Sequence, residues 1–325
     1  MSDLSALLAA TEKAIKHFSQ CMTPPYHTPL EYNSRMSGEL DMDVLMKFEH
    51  MQYTGSFKYR GALNCILSLS AKEREAGVVT ASSGNHGMAC AYAAGETRVP
   101  LTVYVPAGAS ALKLEKIKSF GARVIQVEGD CLQAEIQARA DAQNNNKRYI
   151  SPYNDLQVMA GQGTIGRELL TEGQTLDAVF ISVGGGGLIG GVGAWLRQHS
   201  PHTRIYGCWP ENAPAMGHCL ERGEIGEVDE SDTLSDGTAG GVEPGAVTFD
   251  VCKQVIDEHV YVPEHAIAKH IQQFARRERM IIEGAAAVAV AALEQRAPNL
   301  KGKRVAAILC GRNIAFDTLM QVLNN

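Results

Sequence analysis

The stretch Thr54-Gly-Ser-Phe-Lys-Tyr-Arg-Gly-Ala62 sets one lysine, Lys58, between an aromatic residue and a glycine-bounded turn. Before it, Val44-Leu-Met-Lys-Phe-Glu49 alternates apolar and charged residues and reads as a strand. After it, Leu63, Ile66 and Leu67 recur at helical offsets, which predicts a helix. Lys58 therefore falls at a helix N-terminus. There the macrodipole and free N–H groups disfavour an ammonium, and desolvation adds to them, so the amine is held toward its neutral form. A neutral amine can form a Schiff base. Taken alone, the segment also suits an ordinary surface lysine at the start of a helix.

Outward from this turn a β/α rhythm sets in. Strands are expected at 77–81, 101–105, 123–127 and 148–150, alternating with helices at 85–94, 111–120 and 131–142. A polar tract at 143–147 and Ser151-Pro-Tyr-Asn-Asp155 mark a change of direction, taken as a crossing between domains. The rhythm resumes with strands at 178–183, 204–208 and 304–309 and helices at 188–198, 265–277 and 284–295, and the acidic stretch 221–232 reads as a solvated loop. Strands alternating with helices imply parallel sheets covered on both faces. At the N-terminus, residues 1–20 form an amphipathic helical pattern with Asp3, Glu12, Lys13 and Lys16, which is no signal peptide.

Two loops stand between a strand and a helix. Ala81-Ser-Ser-Gly-Asn-His-Gly87 leaves backbone N–H groups free at a helix start, where a carboxylate fits; a Ser/Asn-capped helix start is the plainer reading. In Val183-Gly-Gly-Gly-Gly-Leu-Ile-Gly190, successive glycines let the backbone approach a phosphate. Gly185, Gly187 and Gly190 also satisfy the dinucleotide fingerprint, with Glu211 about twenty residues on, so a nicotinamide dinucleotide is the competing ligand from a different class. No Gly-Lys-Ser/Thr follows, which argues against a nucleoside-triphosphate P-loop.

Composition narrows the partners. With 45% apolar and 20% charged residues, the 325-residue chain can bury one large core or two ordinary ones. Thirty basic against 36 acidic residues give a formal charge of −6, so nothing drives binding to nucleic acid or to an anionic membrane. Eight cysteines without Cys-x-x-Cys pairs suit reduced thiols in a cytoplasmic protein, and the ten histidines form no metal-binding motif. The longest apolar run, 284–293, is half of the ~20 residues a membrane span needs.

The segment 45–62 resembles the cofactor-lysine segment of the threonine/serine dehydratases (ammonia-lyases) and serine racemases, fold-type II pyridoxal-phosphate enzymes. The resemblance runs from 27 to 313. It includes Ala160-Gly-Gln-Gly-Thr164, Ser235-Asp-Gly237, Ile282-Glu-Gly-Ala-Ala286 and Leu309-Cys-Gly-Arg-Asn313. It implies a tryptophan-synthase-β-like α/β fold with two parallel-sheet domains, a large one at 1–50 and 152–325 and a small one at 51–151, with pyridoxal 5'-phosphate between them.

By that match Lys58 is the Schiff-base lysine and Phe57 stacks on the cofactor ring. Asn85 contacts its phenolic oxygen, Gly184, Gly185, Gly186, Gly187 and Leu188 cup its phosphate, and Cys310 faces its pyridine nitrogen. Ser82, Ser83, Gly84, Asn85 and His86 frame the substrate carboxylate. Histidine at 86, where the related cysteine synthases have threonine, favours the dehydratase branch.

The implied reaction is β-elimination from L-threonine, L-serine or a related hydroxy amino acid, giving a 2-oxo acid and ammonia. Ser83 keeps a serine or threonine racemase open, and the hydroxyectoine or hydroxyaspartate pathways offer larger substrates. The family further implies a homodimer. Arg312 stands where the family has glycine. Trp209 and Ala215 stand where many relatives have acidic ligands to a divalent cation, so no metal site is expected. Only twelve residues follow Asn313, which leads to the expectation of no isoleucine-responsive regulatory domain and a catabolic role.

Overall fold

The computed structural model describes residues 4–171 and 175–324. Two sheets organise them. The larger runs β1 (Leu30–Tyr32), β2 (Asp43–Lys47), β10 (Arg304–Ile308), β7 (Ala178–Ser182), β8 (Arg204–Pro210), β9 (Glu258–Val262) in spatial order, and the smaller runs β5 (Arg123–Val127), β4 (Leu101–Pro106), β3 (Val78–Ala81), β6 (Arg148–Tyr149). All pairings are parallel except β1 with β2. Buried on both faces, β7 and β10 read as unbroken apolar runs rather than alternating ones.

Each sheet has its own apolar core. Around the larger sheet, Phe180, Ile181, Val305 and Ile308 pack with the alanine-rich helix α13 (Gly284–Arg296). Around the smaller, Val78 and Val103 pack with α3 (Lys58–Leu67) and α5 (Asn85–Thr97). Helix α7 (Cys131–Asn144) covers the other face of the smaller sheet.

The central helices α8 (Leu156–Leu169) and α9 (Gly187–His199) join the two parts, α8 packing on α1 (Leu4–Gln20), α3 and α9. The sequence reading did not assign α8, whose Gly161, Gly163 and Gly166 look like helix breakers. Their role is close approach. A Cβ on Gly161 would lie 2.4 Å from the Arg60 carbonyl, and one on Gly191 of α9 would lie 2.2 Å from the Met159 carbonyl. Asp155 starts α8 by accepting from the N–H groups of Gln157 and Val158.

Other elements differ in detail from the expectation. The acidic stretch is irregular only beyond Arg222, because Glu221 and Arg222 end α10 (Ala215–Arg222). The helix expected at 265–277 is α12 (Glu264–Gln273) followed by a π-turn at Phe274–Glu278. No helix among the described residues is long and apolar enough to cross a membrane.

Candidate active site

Lys58 is the first residue of α3, and the turn before it is stitched to the end of β10. Gly55, at φ +80°, accepts from the Arg312 N–H at 2.9 Å, Phe57 N–H donates to the Cys310 carbonyl at 3.1 Å, and Ser56 bridges to Gly311. Arg312 uses only its backbone here. It has no positive φ and its side chain is exposed, so the departure from glycine leaves the local shape intact.

Lys58 Nζ donates to the Pro152 carbonyl at 2.9 Å and lies 5.2 Å from the centre of the Phe57 ring. Burial pushes its pKa down to about 8, against the opposing pull of Cys90, Cys310 and Glu283.

Two helix starts face the same space. In α5 the first N–H to reach a backbone carbonyl is that of Met88, to Gly84 at 3.1 Å. In α9 it is that of Gly190, to Gly186 at 2.9 Å. The N–H groups ahead of them are available to anions. The loop before α5 is shaped by Ser82, whose Oγ accepts from Gly84 N–H at 3.2 Å, and by Gly87, where a Cβ would lie 2.0 Å from the Ser82 carbonyl.

The loop before α9 lies flat against Tyr153. A Cβ on Gly185 would come within 2.3 Å of that ring, and the Tyr153 hydroxyl accepts from Glu243 N–H at 3.0 Å. Gly186 takes φ +86°.

The cofactor and substrate residues that the resemblance implies converge here. Phe57, Lys58, Ser82 to His86, Gly184 to Leu188 and Cys310 line one cavity of about 490 Å³. His86 is buried and pairs through Nε2 with the Ile150 carbonyl at 3.0 Å; burial takes its pKa down to about 3, so it is neutral. Ser83 has no hydrogen-bond partner for its hydroxyl among the described residues. Burial pushes the Cys310 thiol well up, which leaves it a protonated, weak donor. Glu211, the acid that the dinucleotide reading requires, does not line this cavity.

Sequence reasoning missed Tyr153 as the backing of the glycine loop. It also gave no role to Glu283, buried in the same cavity, whose carboxylate accepts from Asn85 Nδ2 at 2.9 and 3.0 Å and from Asn313 N–H at 2.9 Å. The only signal for Glu283 was its place in a family-like segment.

Pyridoxal phosphate fits these residues. A half-buried amine of lowered pKa stands in a cavity whose glycine loop leaves no room for a Cβ and presents helix-start donors suited to a phosphate. A divalent cation at 209 and 215 does not fit. The Trp209 indole is buried with Tyr261 and His259 around it, and Ala215 offers no side-chain ligand. Among the described residues no cluster of three His, Cys, Asp or Glu could hold a metal.

Comparison with known proteins agrees with this geometry. The profile of the pyridoxal-phosphate dependent enzyme family matches residues 22–311. An L-threonine ammonia-lyase of Thermotoga maritima is 38% identical over 300 residues, covering 92% of this chain and 74% of that protein. Among solved structures, processed threonine deaminase isoform 2 of Solanum lycopersicum superposes with a TM-score of 0.93 at 31% identity, covering 99% of this chain and 89% of that one. Serine racemase of Dictyostelium discoideum does so with 0.87 at 32%, covering 95% and 99%. With a family match over most of its length, this chain belongs to the pyridoxal-phosphate dependent enzymes and is a lyase of that family.

Proposed function

We propose that the protein is an ammonia-lyase for L-threonine and L-serine, releasing a 2-oxo acid and ammonia by β-elimination. The observation that carries this reading is the convergence of Lys58, with its lowered pKa, on one cavity with two helix starts, one suited to the cofactor phosphate and one to the substrate carboxylate. Relatives and structural neighbours named for threonine support the substrate.

In this reading the loop 184–188 binds the phosphate, Phe57 flanks the ring, and Ser82 to His86 orient the substrate carboxylate. When bound, pyridoxal 5'-phosphate supplies the sink for the electron pair left at the substrate Cα. Lys58 Nζ takes the Cα proton, a positioned transfer typically worth ~10² to 10⁴ in rate. The β-hydroxyl leaves as water, the proton it takes up balancing the one that Lys58 removes from Cα, and the released enamine hydrolyses to the oxo acid and ammonia. Cys310, a buried thiol and a weak donor, would face the ring nitrogen of the bound cofactor.

The unpartnered Ser83 hydroxyl favours racemisation as a second reading, because a proton could be exchanged through it. The test is a 2-oxo acid assay of the loaded protein on L-threonine, L-serine and their D-isomers, with Lys58→Ala as control and chiral analysis of the remaining amino acid. Oxo acid from the L-substrates, lost in the control, supports the lyase; inverted amino acid without oxo acid supports the racemase; neither sends the search to larger hydroxy amino acids.

The division into 1–50 with 152–325 and 51–151 belongs to the same proposal. It is supported by the six-stranded sheet taking its strands from one set and the four-stranded sheet from the other. A homodimer, a cytoplasmic location and a catabolic role complete it. Sedimentation, localisation of the tagged chain and an isoleucine-inhibition assay test these in turn.

A further inference from the structure

Glu283 is the residue of the cavity that the reaction above leaves without a task. It lies just ahead of α13, 4% exposed, and Gly311 makes room for it, since a Cβ there would sit 2.2 Å from Oε1. A buried carboxylate is costly, and burial pushes the pKa of this one up to about 7. Its position is therefore not explained by stability alone.

Its partner explains more. An Asn amide has two ends of equal shape and opposite hydrogen-bonding sense. Asn85 Nδ2 donates to both oxygens of Glu283, and Asn85 Oδ1 accepts from Asn313 Nδ2 at 2.6 Å. Asn313 is itself pinned, because its Nδ2 also donates to the Thr54 carbonyl at 2.8 Å. Flipping Asn85 would set oxygen against the carboxylate and NH2 against NH2, so all three bonds would become repulsions. The near-equal contacts let one Nδ2 hydrogen serve both Glu283 oxygens, so with the amide fixed, what Asn85 can offer a ligand beside Lys58 is its other Nδ2 hydrogen. Pyridoxal phosphate carries a phenolic oxygen next to the carbon that a lysine engages, and that oxygen is an acceptor.

We propose that Glu283 is a positioning residue: by accepting from Asn85 Nδ2 it sets the amide so that an N–H, and not the carbonyl oxygen, meets the phenolic oxygen of bound pyridoxal phosphate. This rests on Asn85 meeting the cofactor as read above. It does not depend on which amino acid is the substrate.

The test needs no amino acid. Wild type, Glu283→Gln, Glu283→Ala, Asn85→Ala and the Glu283→Ala/Asn85→Ala double variant are titrated with pyridoxal phosphate, following the visible band of the bound chromophore. Glu283→Ala is expected to weaken binding about ten-fold or more and to move the band, the scale of losing a hydrogen bond in a buried site. Glu283→Gln, whose Oε1 still accepts, recovers part of the affinity. In the Asn85→Ala background, removing Glu283 has no further effect, because a residue acting through another is silent once that other is gone.

The melting temperature of the cofactor-free Glu283→Gln protein, expected at or above wild type, separates positioning from folding. Affinity and band unchanged in Glu283→Ala, or losses that simply add in the double variant, overturn the inference. A wild type that shows no band at all sinks the proposed function and this inference together, and the wild-type trace alone tells that case apart.

Discussion

Arg60 grips Glu168 with two prongs, Nη1 to Oε1 at 2.6 Å and Nη2 to Oε2 at 2.8 Å, while its Nε and Nη2 hold both oxygens of Glu49 at 2.8 and 2.7 Å. Arg60 stands two residues after Lys58 on α3, Glu49 follows β2, and Glu168 lies on α8. Lys47 completes the knot, pairing with Glu168 and donating to the Thr28 carbonyl at 2.6 Å. This ionic knot fixes the rotation of the helix that begins with Lys58.

Arg60→Met is therefore expected to destabilise the chain by about 3–5 kcal/mol, because it strands Glu49 and Glu168 in the interior with only Lys47 between them. Urea denaturation checks this. A loss below about 1 kcal/mol would show that the knot is dispensable.

The Lys58 amine, held at about 8 by burial, sets the pH dependence of cofactor uptake. Only the neutral amine attacks, so the reconstitution rate should rise about ten-fold between pH 7 and 9 and flatten above. Stopped-flow absorbance of the cofactor-free protein reads it. A rate still climbing beyond pH 10 would return Lys58 to the ordinary lysine range.

Gly185→Ala drives a methyl into the Tyr153 ring. Tyr153 must yield or the loop must lift, and either reshapes the loop proposed to hold the cofactor phosphate. Pyridoxal-phosphate affinity should fall about ten-fold or more, on the scale of a 1–3 kcal/mol overpacking cost. Tyr153→Ala in the same chain should restore part of it. Equal affinity in wild type and Gly185→Ala would contradict this reading of the loop.

The Glu283 carboxyl titrates at 4.5 unfolded and about 7 folded. Between those values the folded chain keeps a proton that the unfolded chain has lost, so raising the pH through this window removes stability, by about 3 kcal/mol in all. His50 and His86, held down at about 4 and about 3, act in the opposite sense up to their ordinary 6.5. The difference between cofactor-free Glu283→Gln and wild type cancels them. That difference should grow in favour of the variant from pH 4.5 to 8, as measured by urea midpoints, and a flat difference would refute the assignment.

The placement of Lys58 and of the two loops at helix starts was legible in the sequence because each is a local event: a strand, a few small residues and a helix, all within one short segment. Central strands were legible too, through their apolar runs. The remainder is held by partners far along the chain. Asn85 and Glu283 are 198 positions apart and Arg60 and Glu168 are 108, so no window of sequence contains either pair. Helix α8 failed for another reason, since its glycines oppose helix formation locally and are retained for contacts visible only after folding. Arg312 departs from the family's glycine in its side chain, yet the loop uses its backbone.

The glycine contact between α8 and α9 bears on how the site moves. Side chains between two helices can change rotamer and let the helices slide; bare backbone against backbone offers no such bearing. The loop 184–188 stands at the head of α9 and is mounted on that close backbone contact. The give needed when a ligand enters must then come from the opposite wall, at the head of α5. In amide exchange, the middle of α9 should be among the last protons to be lost, and the first turn of α5 among the early ones.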